Sequence, residues 1–118
     1  MTPFGERVRD LRKARGMTLS RMAGELGLSP AYLSALEHGR RGRPAPGLVM
    51  QICGCLGLIW DEAAELKALA KQSHPRVTVD TAGLSPQATK LANRLARTIR
   101  HLPEPTIQAM LALLPKEK

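Results

Sequence analysis

Between Thr18 and Gly39 the apolar residues fall on helical spacing twice, with a break between the two runs. Leu19, Met22, Ala23 and Leu26 make one stripe, and Leu33 and Leu36 make a second. Two short interrupted stripes imply two short helices. Gly27-Leu28-Ser29-Pro30 places a residue that tolerates positive φ at the bend, then an N-cap serine and a first-turn proline to start the next helix. Gly39 follows the second stripe, where helices commonly end in a left-handed residue. The second helix is thereby confined to about residues 30 to 38.

On a helical wheel Leu33 and Leu36 define the inward side of this second helix. Ala31, Ser34, Ala35 and His38 point outward, with Pro30 and Tyr32 at the rims. That outward face has no bulky aliphatic residue and no acid. Glu37 falls close to the buried side. Arg40, Arg41 and Arg43 follow at once, and a small-residue face beside an arginine cluster suits close approach to a polyanion. The alternative is an ordinary exposed face of a helical bundle.

The order of these residues narrows the choice. GMTLSRMAGELGLSPAYLSALEHGRRGRP, together with Leu11 before it and Leu56-Gly57 after it, resembles the phage-repressor (Cro and repressor, or XRE) family of helix-turn-helix DNA-binding domains. The resemblance covers roughly residues 4 to 73. It implies an all-α fold: a five-helix phage-repressor-like domain, with the second helix of the pair lying in the major groove. It also implies that Pro30, Ala31, Ser34 and Ala35 stand where the family reads base edges, with Tyr32 and His38 within reach. This sequence departs from the pattern by offering no Gln, Asn or Arg there, the side chains best suited to bidentate base contacts. Methyl contacts to thymine, a hydroxyl bond from Ser34 and indirect readout are what remain.

Phosphate contacts are expected around this pair. Thr18 is a candidate N-cap whose helix leaves free amides for an anion. The next position, often polar in the family, is Leu19, so Ser20 and Arg21 are the substitutes. The segment RRGRPAPG is a stiff basic loop in which Arg40, Arg41 and Arg43 are candidate phosphate ligands.

Charge agrees with such a partner. The chain of 118 residues carries 18 Lys and Arg against 10 Asp and Glu, a net +8, and aromatic residues are only 3%. A core must then come from Leu, Ala, Met and Val, a mixture that favours helix over sheet. Nine basic and four acidic residues precede Trp60, so the excess leans toward the half holding the helix pair. No apolar run is long enough to span a bilayer and no signal-peptide core is present, which predicts a cytoplasmic location. Cys53 and Cys55 lack metal-ligand spacing and read as small buried or half-buried thiols; no metal or cofactor is expected.

Along the chain, Phe4, Val8 and Leu11 predict a first helix ending near Gly16. Its basic residues form a solvated face, with Arg12 or Arg15 the alternatives for a phosphate contact. Pro46 starts a fourth helix with Leu48, Val49, Ile52 and Leu56 inward, and residues 59 to 62 open a fifth. Its stripe is Ala63, Leu66, Leu69 and Ala70, with Trp60 as a core plug. Residues 1 to 73 are expected to form the DNA-binding domain and 74 to 84 an extended linker or one short strand. Residues 85 to 118 should form a helical pair joined across Pro103 and Pro105.

Leu91, Leu95, Ile99, Ile107 and Leu111 of that pair are the candidate dimerisation residues, since two amphipathic helices cannot bury both stripes alone. They dock on a second copy, on the same chain or on another protein. The functional expectation is a sequence-specific DNA-binding transcriptional regulator, a repressor binding double-stranded DNA at a palindromic operator as a homodimer. The alternative is an antitoxin or antiactivator whose C-terminal helices sequester another protein. No catalytic triad, metal-ligand set or phosphate loop points to an enzyme.

Overall fold

A computed structural model of the chain describes residues 1–40 and 44–116. These form seven α-helices and one 3-10 turn, and no strand is present among the described residues. The fold is all-α as the sequence indicates. It divides into two compact units, Met1–Val77 and Thr78–Lys118.

The first unit holds five helices: α1 (Pro3–Ala14), α2 (Leu19–Leu26), α3 (Pro30–Glu37), α4 (Pro46–Leu56) and α5 (Asp61–Lys71). Local sequence sets nearly every boundary. The hydroxyl oxygens of Thr2, Thr18 and Ser29 accept backbone N–H groups of Gly5, Arg21 and Tyr32 at 3.0, 3.1 and 3.1 Å, satisfying donors that a helix start leaves free. Gly27 ends α2 at φ 71°, and Gly57 ends α4 at φ 68°. Their left-handed turns let Leu28 and Leu58 donate back to the carbonyls of Ala23 and Cys53.

The stripes read from the sequence meet in one core. Phe4, Val8, Leu11, Met22, Leu33, Leu36, Ile52, Leu56 and Leu66 are buried, with Ala63 and Leu69 packed against them. Helix α1 crosses α3 at Gly5, where a Cβ would run into the carbonyl of Glu37. Ser73 closes the unit: its buried hydroxyl accepts from Phe4 N at 3.0 Å and donates to the Leu69 carbonyl at 2.7 Å. The start of α1 is thus tied to the end of α5.

Two expectations are corrected here. Trp60 is not a core plug: it is 84% exposed and sits at φ 54°. Leu58 and Leu66 fill the space between α4 and α5, and the positive φ turns the chain so that the indole faces solvent. Arg12 is neither a solvated cation nor a phosphate contact. It is 8% exposed, and its Nε and Nη2 donate to Oε2 and Oε1 of Glu37 at 3.3 and 3.4 Å.

The second unit contains α6 (Pro86–Thr98), a 3-10 turn (Ile99–His101) and α7 (Glu104–Leu113). Ser85 caps α6, its oxygen accepting from Ala88 N at 3.2 Å. Residues 74 to 84 hold neither helix nor strand, only bends, one turn and irregular backbone; Asp80 accepts the Ala82 N–H at 2.9 Å and Leu84 donates to the Thr81 carbonyl. No residue of α6, the 3-10 turn or α7 is buried.

Candidate nucleic-acid interface

The pair α2 and α3 is oriented by groups behind it. Glu37, 3% exposed, stands at the last turn of α3 and takes the fork of Arg12 from α1. The third nitrogen of that guanidinium, Nη1, donates to the Met17 carbonyl at 3.1 Å, in the loop that leads into α2. One side chain therefore joins α1, the entry to α2 and the end of α3. Removing either charge would strand the other in the interior, at a cost of about 3–5 kcal/mol. This pair was not foreseen in the sequence; the signal available was an acid at a wheel position facing the core.

The outer side of α3 carries the residues picked out as base readers. Pro30, Ala31 and His38 are exposed, and Tyr32, Ser34 and Ala35 are half-buried, so all six reach the surface. No acidic side chain lies in the first turn of α2 or α3. The partial positive charge of each N-terminus is therefore left for an external anion. His38 Nδ1 lies 2.8 Å from the Ser34 carbonyl. A carbonyl only accepts, so Nδ1 carries the proton. Nε2 is then an acceptor on the neutral ring and a donor when the ring is charged.

Among the expected phosphate ligands, Thr18 and Ser20 are exposed at the start of α2. The Thr18 oxygen is occupied as an acceptor by Arg21 N, but its O–H can still be donated. Arg21 points along its own helix to Glu25, Nε to Oε1 3.6 Å. An exposed pair at this spacing contributes only about 0.3–0.5 kcal/mol, so it does not hold Arg21 from a phosphate. The other oxygen of Glu25 accepts from the Cys55 thiol at 3.0 Å. Burial first, then that hydrogen bond and the carboxylate charge, push the thiol up to about 11.

Arg40 is exposed immediately after α3, and its backbone N–H donates to the Ala35 carbonyl at 2.9 Å. Gly39, at φ 78°, makes that turn and packs against the methyl of Thr2. Arg41 and Arg43 lie outside the described residues. Arg15, the other alternative for phosphate, is exposed and bonds its own helix at the Leu11 carbonyl. Cys53 and Cys55 are free, and no group of metal-ligating side chains occurs among the described residues. No described helix is long and apolar enough to cross a membrane.

The family model described as "Helix-turn-helix domain" matches residues 3–66, more than half of the chain. The uncharacterized HTH-type transcriptional regulator RghRB of Bacillus subtilis (strain 168) is 39% identical over 56 residues, 48% of this chain and 40% of its own length. The HTH-type transcriptional repressor RghR of the same organism is 34% identical over 61 residues, 52% of this chain and 45% of its own. The chain thus spans less than half the length of these curated relatives. A chain of the SinR protein/SinI protein complex aligns over 92% of this chain and 91% of its own, with a TM-score of 0.47 and 22% identity. The chain belongs to the XRE-type helix-turn-helix family of DNA-binding proteins.

Proposed function

We propose that this protein is a sequence-specific transcriptional regulator, a repressor that places α3 in the major groove of a palindromic operator and binds as a homodimer. The observation that carries this is the outer face of α3, small and free of acid, flanked by His38 and Arg40 and fixed from behind by the Arg12–Glu37 pair. Ala31 and Ala35 supply methyl contacts for thymine, Ser34 supplies a hydroxyl, and His38 Nε2 supplies a polar atom at the rim. With no long bidentate reader on the face, discrimination rests heavily on DNA shape, gripped through phosphates by Thr18, Ser20, Arg21, Arg40 and the arginines that follow.

The relatives named as a regulator and a repressor support the regulatory reading. The homodimer is supported by the second unit, in which Leu91 and Leu111 are exposed and Leu95 and Ile107 are only half-buried. Such a stripe calls for a partner, and a second copy supplies the two-fold symmetry that a palindrome requires. The same stripe would serve an antitoxin or antiactivator.

Fluorescence anisotropy on the DNA upstream of the gene, with excess nonspecific competitor at about 150 mM salt, tests the proposal. Tight competitor-resistant binding is expected. Ser34→Ala should change the preferred sequence, and Arg40→Ala should weaken all duplexes and flatten the salt slope by about 1. Unchanged affinity and preference in both variants would overturn the docking of α3.

A further inference from the structure

Helix α6 carries its charge and its apolar residues on opposite sides. Lys90, Arg94 and Arg97 recur one helical turn apart and, with Asn93 and Thr98, surround a shallow cleft of about 300 Å³. Leu95 and Ile99 lie across the wheel from them, with Leu91 at the border. No Asp or Glu occurs from Thr81 to Pro103, and none of the three cations has an ion-pair partner among the described residues. In the first unit only some of the arginines are paired. Arg7, Arg12 and Arg21 each face a carboxylate, of Glu65, Glu37 and Glu25, at 3.3, 3.3 and 3.6 Å. Charge that is partly neutralised within the first unit is left whole on α6.

We propose that this face of α6 is a second DNA-contacting surface, which grips phosphates of duplex DNA. It goes beyond the α3 reading and does not depend on it. Arginine and lysine without base-shaped neighbours give a sequence-independent hold, as phosphate contacts do. The choice of DNA over an anionic bilayer rests on the DNA-binding family to which the same chain belongs. A helix lying in a membrane surface would bury Leu91, Leu95 and Ile99. Contact with DNA through the charged face instead leaves Leu91, Leu95 and Ile99 open for a second copy.

The test is anisotropy of the full chain on the upstream duplex and on an unrelated duplex of equal length, from ~50 to ~200 mM salt. The triple variant Lys90→Gln/Arg94→Gln/Arg97→Gln changes only exposed side chains, and circular dichroism should show its helicity retained. Its log K against log salt slope is expected to shrink by about 2–3 per bound protomer on both duplexes, at about 0.9 for each phosphate the variant no longer neutralises. Arg94→Lys/Arg97→Lys, which keeps the charge, should keep the slope. Should the triple variant leave both slopes unchanged, or the charge-keeping variant lose as much, the proposal is overturned. Loss of binding to phosphatidylglycerol vesicles with the DNA slopes intact would overturn it in favour of a membrane surface. If instead the Ser34 and Arg40 variants bind DNA normally while the triple variant loses slope, the α3 reading fails and this one stands.

Discussion

At Gly5 the backbone of α1 lies so close to the Glu37 carbonyl that a single methyl group would overlap it. Because the neighbour is backbone, relief requires α1 and α3 to move apart, which loosens the Arg12–Glu37 fork as well. Gly5→Ala is expected to lower stability by at least about 2 kcal/mol in urea unfolding, a large effect for one methyl group. Cys55 gives a second expectation at this scale. Its thiol is raised from 9.0 to about 11 in the folded protein, so the fold retains a proton that the unfolded chain releases earlier. The associated stability is complete below about pH 9 and is lost as pH rises through about 11. Unfolding curves of the native chain should therefore fall more steeply over that window than those of Cys55→Ser.

Among the elements, the junction between α4 and α5 is where local chemistry and the fold disagree. Gly27, Gly39 and Gly57 sit at positive φ where a helix ends, yet at the start of α5 a positive φ is held by Trp60, whose ψ of −121° lies outside the left-handed helical region. A bulky residue at φ 54° carries strain, and an exposed indole returns little packing to offset it. Trp60→Gly is expected to leave the melting temperature unchanged or raise it, by the equivalent of up to about 1 kcal/mol. A drop of several degrees would mean that the indole is covered in solution. Elsewhere the elements follow their sequence closely, since Thr18, Ser29, Gly27, Gly39 and Gly57 each act through neighbours a few residues away.

For the whole molecule, the contrast lies between a unit with a closed core and a unit without one. Residues 1–77 bury a continuous set of apolar side chains, whereas α6 and α7 bury none. Two short helices with an open stripe are marginal alone, so the second unit depends on what covers it. Leu95→Asp is expected to turn a dimer into a monomer on size-exclusion chromatography with light scattering. Without a second copy on the other half-site, operator binding should then weaken far more than binding to a single half-site. A dimer that survives this change would place the partner surface elsewhere.

Read by itself, the chain determines the helices and the face that α3 presents. Caps, first-turn prolines and left-handed glycines act over three to five residues, and the stripes at helical spacing mark which side of each helix turns inward. What the tertiary structure decided lies at large sequence separation. The Arg12–Glu37 fork spans 25 residues and the Ser73–Phe4 hydrogen bond 69. The approach of Gly5 to Glu37, the replacement of Trp60 by Leu58 and Leu66 in the core, and the pairing of Arg7 with Glu65 are also of this kind. Beyond the inward wheel position of Glu37, none of these has a local signature, because whether a charge is buried and paired or a methyl group fits depends on which backbone the fold brings alongside.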